Sequence, residues 1–143
     1  MQTDTIKLLR ECNAGIKMGE SAIKKVLPHT KNENLKNALI ECKNTHATLG
    51  DETHAALLSH GADTKEPHAI IRAMSDVKIY AKMMAKSTDA QIADVMTDGC
   101  DMGIKSLTHY LNKYKNASKD AKAITKRLIE SEEKLEHGIR EYL

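Results

Sequence analysis

The chain has 143 residues, 41% hydrophobic and 29% charged, and its 22 basic and 20 acidic residues are interleaved to a net charge of +2. That length suits one domain, residues 1–143, with a single core. Trp and Phe are absent and Tyr occurs four times, which argues against base stacking on nucleic acid, and no charge block marks a polyanion site.

No window approaches the roughly 18 apolar residues of a membrane span, and the first ten residues carry no signal-peptide core. Three cysteines without CxxC spacing suit a reducing compartment. The expectation is a cytoplasmic protein that binds neither membrane nor nucleic acid.

Thr3 can cap a first helix from about Asp4 to Leu27, where Pro28 stops it. Its inward stripe reads Ile6, Leu9, Asn13, Ile16, Glu20, Ile23 and Leu27. Thr30-Lys31-Asn32-Glu33 has capping-box spacing, so a second helix should start near Lys31 and run to about His60, before Gly61. Its stripe is Leu35, Leu39, Cys42, His46, Leu49, Thr53, Ala56 and His60. The short turn makes the two helices antiparallel. Counted from about Thr30, Glu20 stands level with Glu41 and Asn13 with His46.

A third helix is predicted over residues 67–86, with Pro67 in its first turn and a stripe of Ile70, Met74, Val77, Ala81 and Met84. At about 1.5 Å per residue it spans roughly 30 Å, most of a bundle's length. Thr88-Asp89-Ala90-Gln91 is a further capping box, opening a helix to about Lys115. Gly99 and Gly103 lie on its stripe with Ile92, Met96 and Leu107 and imply close approach of another backbone. Ser118 caps a last helix to about Tyr142, whose stripe is Ala121, Ile124, Leu128, Ser131, Leu135, Ile139 and Tyr142.

An internal repeat organises these elements. Cys12-Asn13-Ala14-Gly15-Ile16-Lys17 recurs as Cys100-Asp101-Met102-Gly103-Ile104-Lys105, and Leu39-Ile40-Glu41-Cys42 as Leu128-Ile129-Glu130-Ser131. The expected fold is all-α: a hairpin over 4–60, a crossover helix over 67–86 and a second hairpin over 89–142, related by a pseudo-twofold.

Two similar hairpins joined by a long crossover resemble the ferritin-like four-helix bundle. The chain looks like the small rubrerythrin-like bacterial proteins of uncharacterised function, in the segment Cys12 to Gly19 and in His68-Ala69-Ile70-Ile71-Arg72-Ala73-Met74-Ser75-Asp76-Val77-Lys78. The resemblance implies a ferritin-like fold and a level at which relatives hold two irons. That centre takes a Glu from each of two helices and Glu-x-x-His from each of the other two. Here Glu41 is followed by Asn44 and Glu130 by Glu133, while Thr108 matches Glu20. The di-iron set is incomplete, which argues against an oxidase.

The leading expectation is therefore a non-catalytic binding or structural protein with no cofactor. One open reading is a mononuclear Fe or Zn site from Glu20, His46, Cys12 and Cys42, with Glu41, Asn13, Cys100 and Glu130 as further candidates. Against it stands a structural cluster in which Asn13 or Glu20 satisfies His46. Cys12 and Cys100 hold matching positions and could meet. His54 and His60 read as solvated, and Glu132, Glu133, Glu136 and His137 as a charged face. The other open reading is a homodimer or protein partner bound through helical faces, foremost a Met-rich crossover surface of Met74, Met83, Met84, Met96 and Met102.

Overall fold

A computed structural model of the chain describes residues 3–64 and 87–143, and their regular structure is helical throughout. Four helices pack together: α1 (Asp4–Val26), α2 (Glu33–Ser59), α3 (Asp89–Lys113) and α4 (Lys119–Ile139). Short 3-10 turns follow α1 at Leu27–His29 and α4 at Arg140–Tyr142. The predicted crossover helix over 67–86, with Met74, Met83 and Met84, lies outside the described residues.

Three helices begin where the sequence marks them. Thr3 accepts from the amide of Ile6, Ser118 accepts from that of Ala121, and Thr88 with Gln91 forms the complete capping box. The start of α2 differs from expectation. Asn32, not Thr30, is its cap, accepting from the amides of Asn34 (2.9 Å) and Leu35 (3.1 Å). The Thr30 hydroxyl instead donates back to the Val26 carbonyl, 2.9 Å away, because the chain is still closing the 3-10 turn there. At the far end, Gly61 adopts φ 76° and ends α2 as predicted.

Hydrogen bonds at the two ends set the directions of the helices. At one end the Asp89 carboxylate accepts from the amides of Lys31 and Asn32, both at 2.9 Å, tying the start of α3 to the start of α2. At the other, Asp4 accepts from the amide of Asn116 (3.1 Å) and Thr5 from that of Ser118 (2.8 Å). So α1 and α4 run one way and α2 and α3 the other. Thr64 and Ser87 accordingly belong to chain segments that leave one end and re-enter at the opposite end. In cross-section α1 packs against α2, α3 and α4, and α4 against α2 and α3.

The inward stripes of α2 and α4 match the prediction from Leu35 to Ala56 and from Ala121 to Ile139. On α1 the buried residues are Thr5, Leu8, Leu9, Cys12, Asn13, Ile16, Ile23 and Val26, so Ile6, Glu20 and Leu27 sit at the border of the core. Contact with three neighbouring helices widens the buried face of α1 beyond one stripe. Two apolar clusters result. The first joins Leu8, Leu9, Ile16, Leu49, Leu57, Leu107 and Leu128, and the second joins Ile23, Leu35, Leu39, Ile92, Leu135 and Ile139. Each fully buried side chain of this kind stabilises by about 1.5–3 kcal/mol. Among the described residues, no helix is long and apolar enough to cross a membrane.

Candidate functional site

Between the two clusters lies a polar layer centred on His46, which α2 places inward with 0% of its surface exposed. Its Nδ1–H donates to the Cys42 carbonyl one turn earlier, at 2.9 Å, and its Nε2–H donates to Oε1 of Glu132 on α4, also at 2.9 Å. The Glu132 side chain is 12% exposed. Burial alone would lower the His46 pKa, but the hydrogen bonds and charges of Cys42 and Glu132 outweigh it and push it up to about 10. The ring is therefore a cation at neutral pH with both N–H groups engaged.

Thiols and a hydroxyl surround this pair. Cys42 Sγ lies 3.6 Å from Ser131 Oγ and 3.6 Å from His46 Nδ1. Cys42 and Ser131 hold matching positions in the two repeats, so the hairpins meet here through equivalent residues. Cys100, on α3, contacts Glu132, and its thiol pKa is raised by burial and then by that carboxylate. All three cysteines are free and buried. Buried, enclosed thiols of this kind are chemically inert.

Glycines leave room for the pair. A Cβ at Gly19 of α1 would stand 2.8 Å from Nε2 and 2.9 Å from Cδ2 of His46. Gly103 of α3 faces the Glu132 carboxyl, 3.6 Å from where its own Cβ would lie. No described backbone makes the close approach expected at Gly103; the Glu132 side chain lies there at ordinary contact distance. No described atom lies within 4 Å of a Cβ built at Gly99.

An imidazolium with both nitrogens donating has no lone pair for a metal and cannot act as a base. Among the described residues, no group of three or more His, Cys, Asp and Glu side chains is placed to hold a metal ion. The positions implied by the di-iron resemblance do not fit that centre either. Glu41 is exposed and paired with Lys134, Asn44 and Glu133 are exposed, and Thr108 faces solvent.

Comparisons with protein-family models, with curated proteins and with solved structures find no match to this chain.

Of the residues singled out in the sequence, the structure brings together Cys42, His46 and, through Glu132, Cys100. It separates Cys12, which lies in the first cluster with its Sγ 3.1 Å from Thr125 Oγ1 and its pKa pushed up to about 11 by burial. Cys12 and Cys100 thus fall in different clusters and do not meet. Glu20 approaches Gly50 rather than His46, its Oε1 being 3.8 Å from a Cβ built there. Glu130 is exposed beside Arg127. Asn13, expected near His46, accepts instead from His54 Nε2 at 2.9 Å, so His54 is not simply solvated. His60 stands 3.9 Å from Asp120 at the bundle end.

These corrections share one cause. The connection between α1 and α2, Leu27 to Asn32, is centred near Thr30, but α2 is staggered along α1, so that levels count from nearer Asn32. His46 then falls opposite Gly19, and Asn13 opposite His54. Glu132 went unrecognised because it flanks the α4 stripe, one residue beyond Ser131. The available signal was an inward His that required an acceptor with reach.

Proposed function

We propose that this protein is a non-catalytic binding or structural protein on a ferritin-like bundle, in which a buried imidazolium–carboxylate pair takes the level of the metal centre. The observation that supports this reading is the engagement of both His46 ring nitrogens, by Cys42 and by Glu132. A histidine ligand must offer one nitrogen lone pair. Buried free thiols fit the same reading and a cytoplasmic location.

Elemental analysis of protein purified without a metal-affinity column, before and after anaerobic loading with Fe(II) or Zn(II), tests it, together with NMR of the His46 ring nitrogens. The expected result is trace metal only and two protonated ring nitrogens at neutral pH. Near-stoichiometric metal that disappears in His46→Ala would overturn it. A mononuclear site of that kind would draw on Cys42, His46, Cys100 and Glu132 rather than on Glu20 and Cys12, and would require Glu132 to release Nε2.

A further inference from the structure

The outward face of α3 carries a pattern that packing among the described residues does not explain. Gln91, Asp94, Asp98, Met102, Lys105, His109 and Asn112 follow each other at steps of three and four, and all are exposed. Met102, near the midpoint of Asp89–Lys113, is 71% exposed, the most of any large hydrophobic residue described. Acidic residues occupy the stripe before it and basic or imidazole residues the stripe after it. The helix macrodipole favours such a bias only in the first and last turns, and Asp98 and Lys105 both lie well inside a 25-residue helix.

Gly99 adds a second observation. It lies beside this stripe, costs the helix about 1 kcal/mol relative to Ala, and no described atom approaches the place of its missing Cβ. On the same helix Gly103, by contrast, has the Glu132 carboxyl at ordinary contact distance. A glycine that the described helices do not require allows a partner helix to approach closely.

We propose that this face is a self-association surface, through which two copies of the chain pair their α3 helices antiparallel about a twofold axis beside Met102. Antiparallel superposition of the stripe on itself sets Asp98 against Lys105, Asp94 against His109 and Gln91 against Asn112. A twofold axis makes each of these pairs occur twice, as an isologous interface requires. Asp101, which would lie against Met102, neighbours Glu136 of α4 within its own chain, leaving Asp98 with Lys105 as the charged pair nearest the axis. A single helix from each copy makes a small interface, so the dimer is a weak and reversible one. Charge complementarity names the occupant, because an unrelated partner has no reason to mirror the order of these charges.

Sedimentation equilibrium on the full chain tests the proposal, with circular dichroism confirming that each variant keeps its helices. The wild type should dimerise reversibly, more weakly as salt is raised. Asp98→Lys and Lys105→Asp should each weaken dimerisation about tenfold, since each sets two like-charge pairs across the axis. An equimolar mixture of those two variants should dimerise like the wild type, because the heterodimer restores both attractive pairs; Met102→Asp should not be rescued by either. A wild type that stays monomeric at about 1 mM protein overturns the proposal. So does a dimer that both reversals leave unchanged, which would belong to another face, or a mixture that shows no rescue.

Discussion

The first apolar cluster, around Leu9, Leu49 and Leu128, encloses the neutral Cys12–Thr125 contact and meets Glu11 and Glu20 only at its edge, whereas the second, around Leu39, Ile92 and Leu135, adjoins the buried His46–Glu132 pair and includes Cys100. In the first, stability follows the volume and apolar area that the side chains fill. In the second it also follows whether every buried charge and donor keeps its partner. A buried ion pair is weak evidence for stability, since desolvation offsets the attraction, yet removing one member leaves the other uncompensated.

The comparison breaks most sharply at Glu132. Glu132→Ala should destabilise by about 3–5 kcal/mol, while the double variant His46→Leu, Glu132→Leu should recover most of that. Urea denaturation measures both, and a single variant no less stable than the double would show that the pair is not coupled.

Nearly as large an effect should come from pH. His46 has its pKa raised from 6.5 to about 10 on folding, so its contribution is complete below the unfolded value and lost as pH rises through the folded one. Thermal melts should show the Tm falling from neutral pH towards and above about 10 in the wild type. The double Leu variant should show a flatter profile over the same interval. Equal slopes would mean that other groups carry the alkaline transition.

In the first cluster, Leu9→Ala should cost about 3 kcal/mol by cavity formation, with the pH profile of the wild type retained. Gly19→Ala comes next, at about 1–3 kcal/mol, because the imidazole 2.8 Å from the new methyl group is held at both ends. Its effect should shrink in the double Leu variant, and full additivity would place the strain elsewhere. Gly103→Ala should change stability by less than about 1 kcal/mol, since its Cβ meets Glu132 only at ordinary contact distance and the helix gains propensity.

Particular residues mark how far the sequence could be read. The caps at Thr3, Thr88 and Ser118 and the stop at Gly61 lie within one residue or two of their predicted helices, because capping is local chemistry between neighbours in the chain. His46 and Cys42 were legible as inward residues from periodicity alone. Their partners were not. Whether Asn13, Glu20 or Glu132 meets His46 depends on the stagger between α1 and α2 and on a packing between hairpins, neither of which periodicity encodes.

The sequence by itself determined that the regular structure of residues 3–64 and 87–143 is helical, which caps open three of the four described helices, which faces are apolar, and that two hairpins share a pattern. Those properties follow from hydrogen bonds and side-chain spacing within a few residues. Only the tertiary structure decided that α1 and α4 run parallel on either side of a polar layer, that Cys12 and Cys100 fall in different halves of the core, and that His46 is a buried cation held by Glu132. Each of those depends on the relative height of two helices, and a shift of a turn in either exchanges one partner for another.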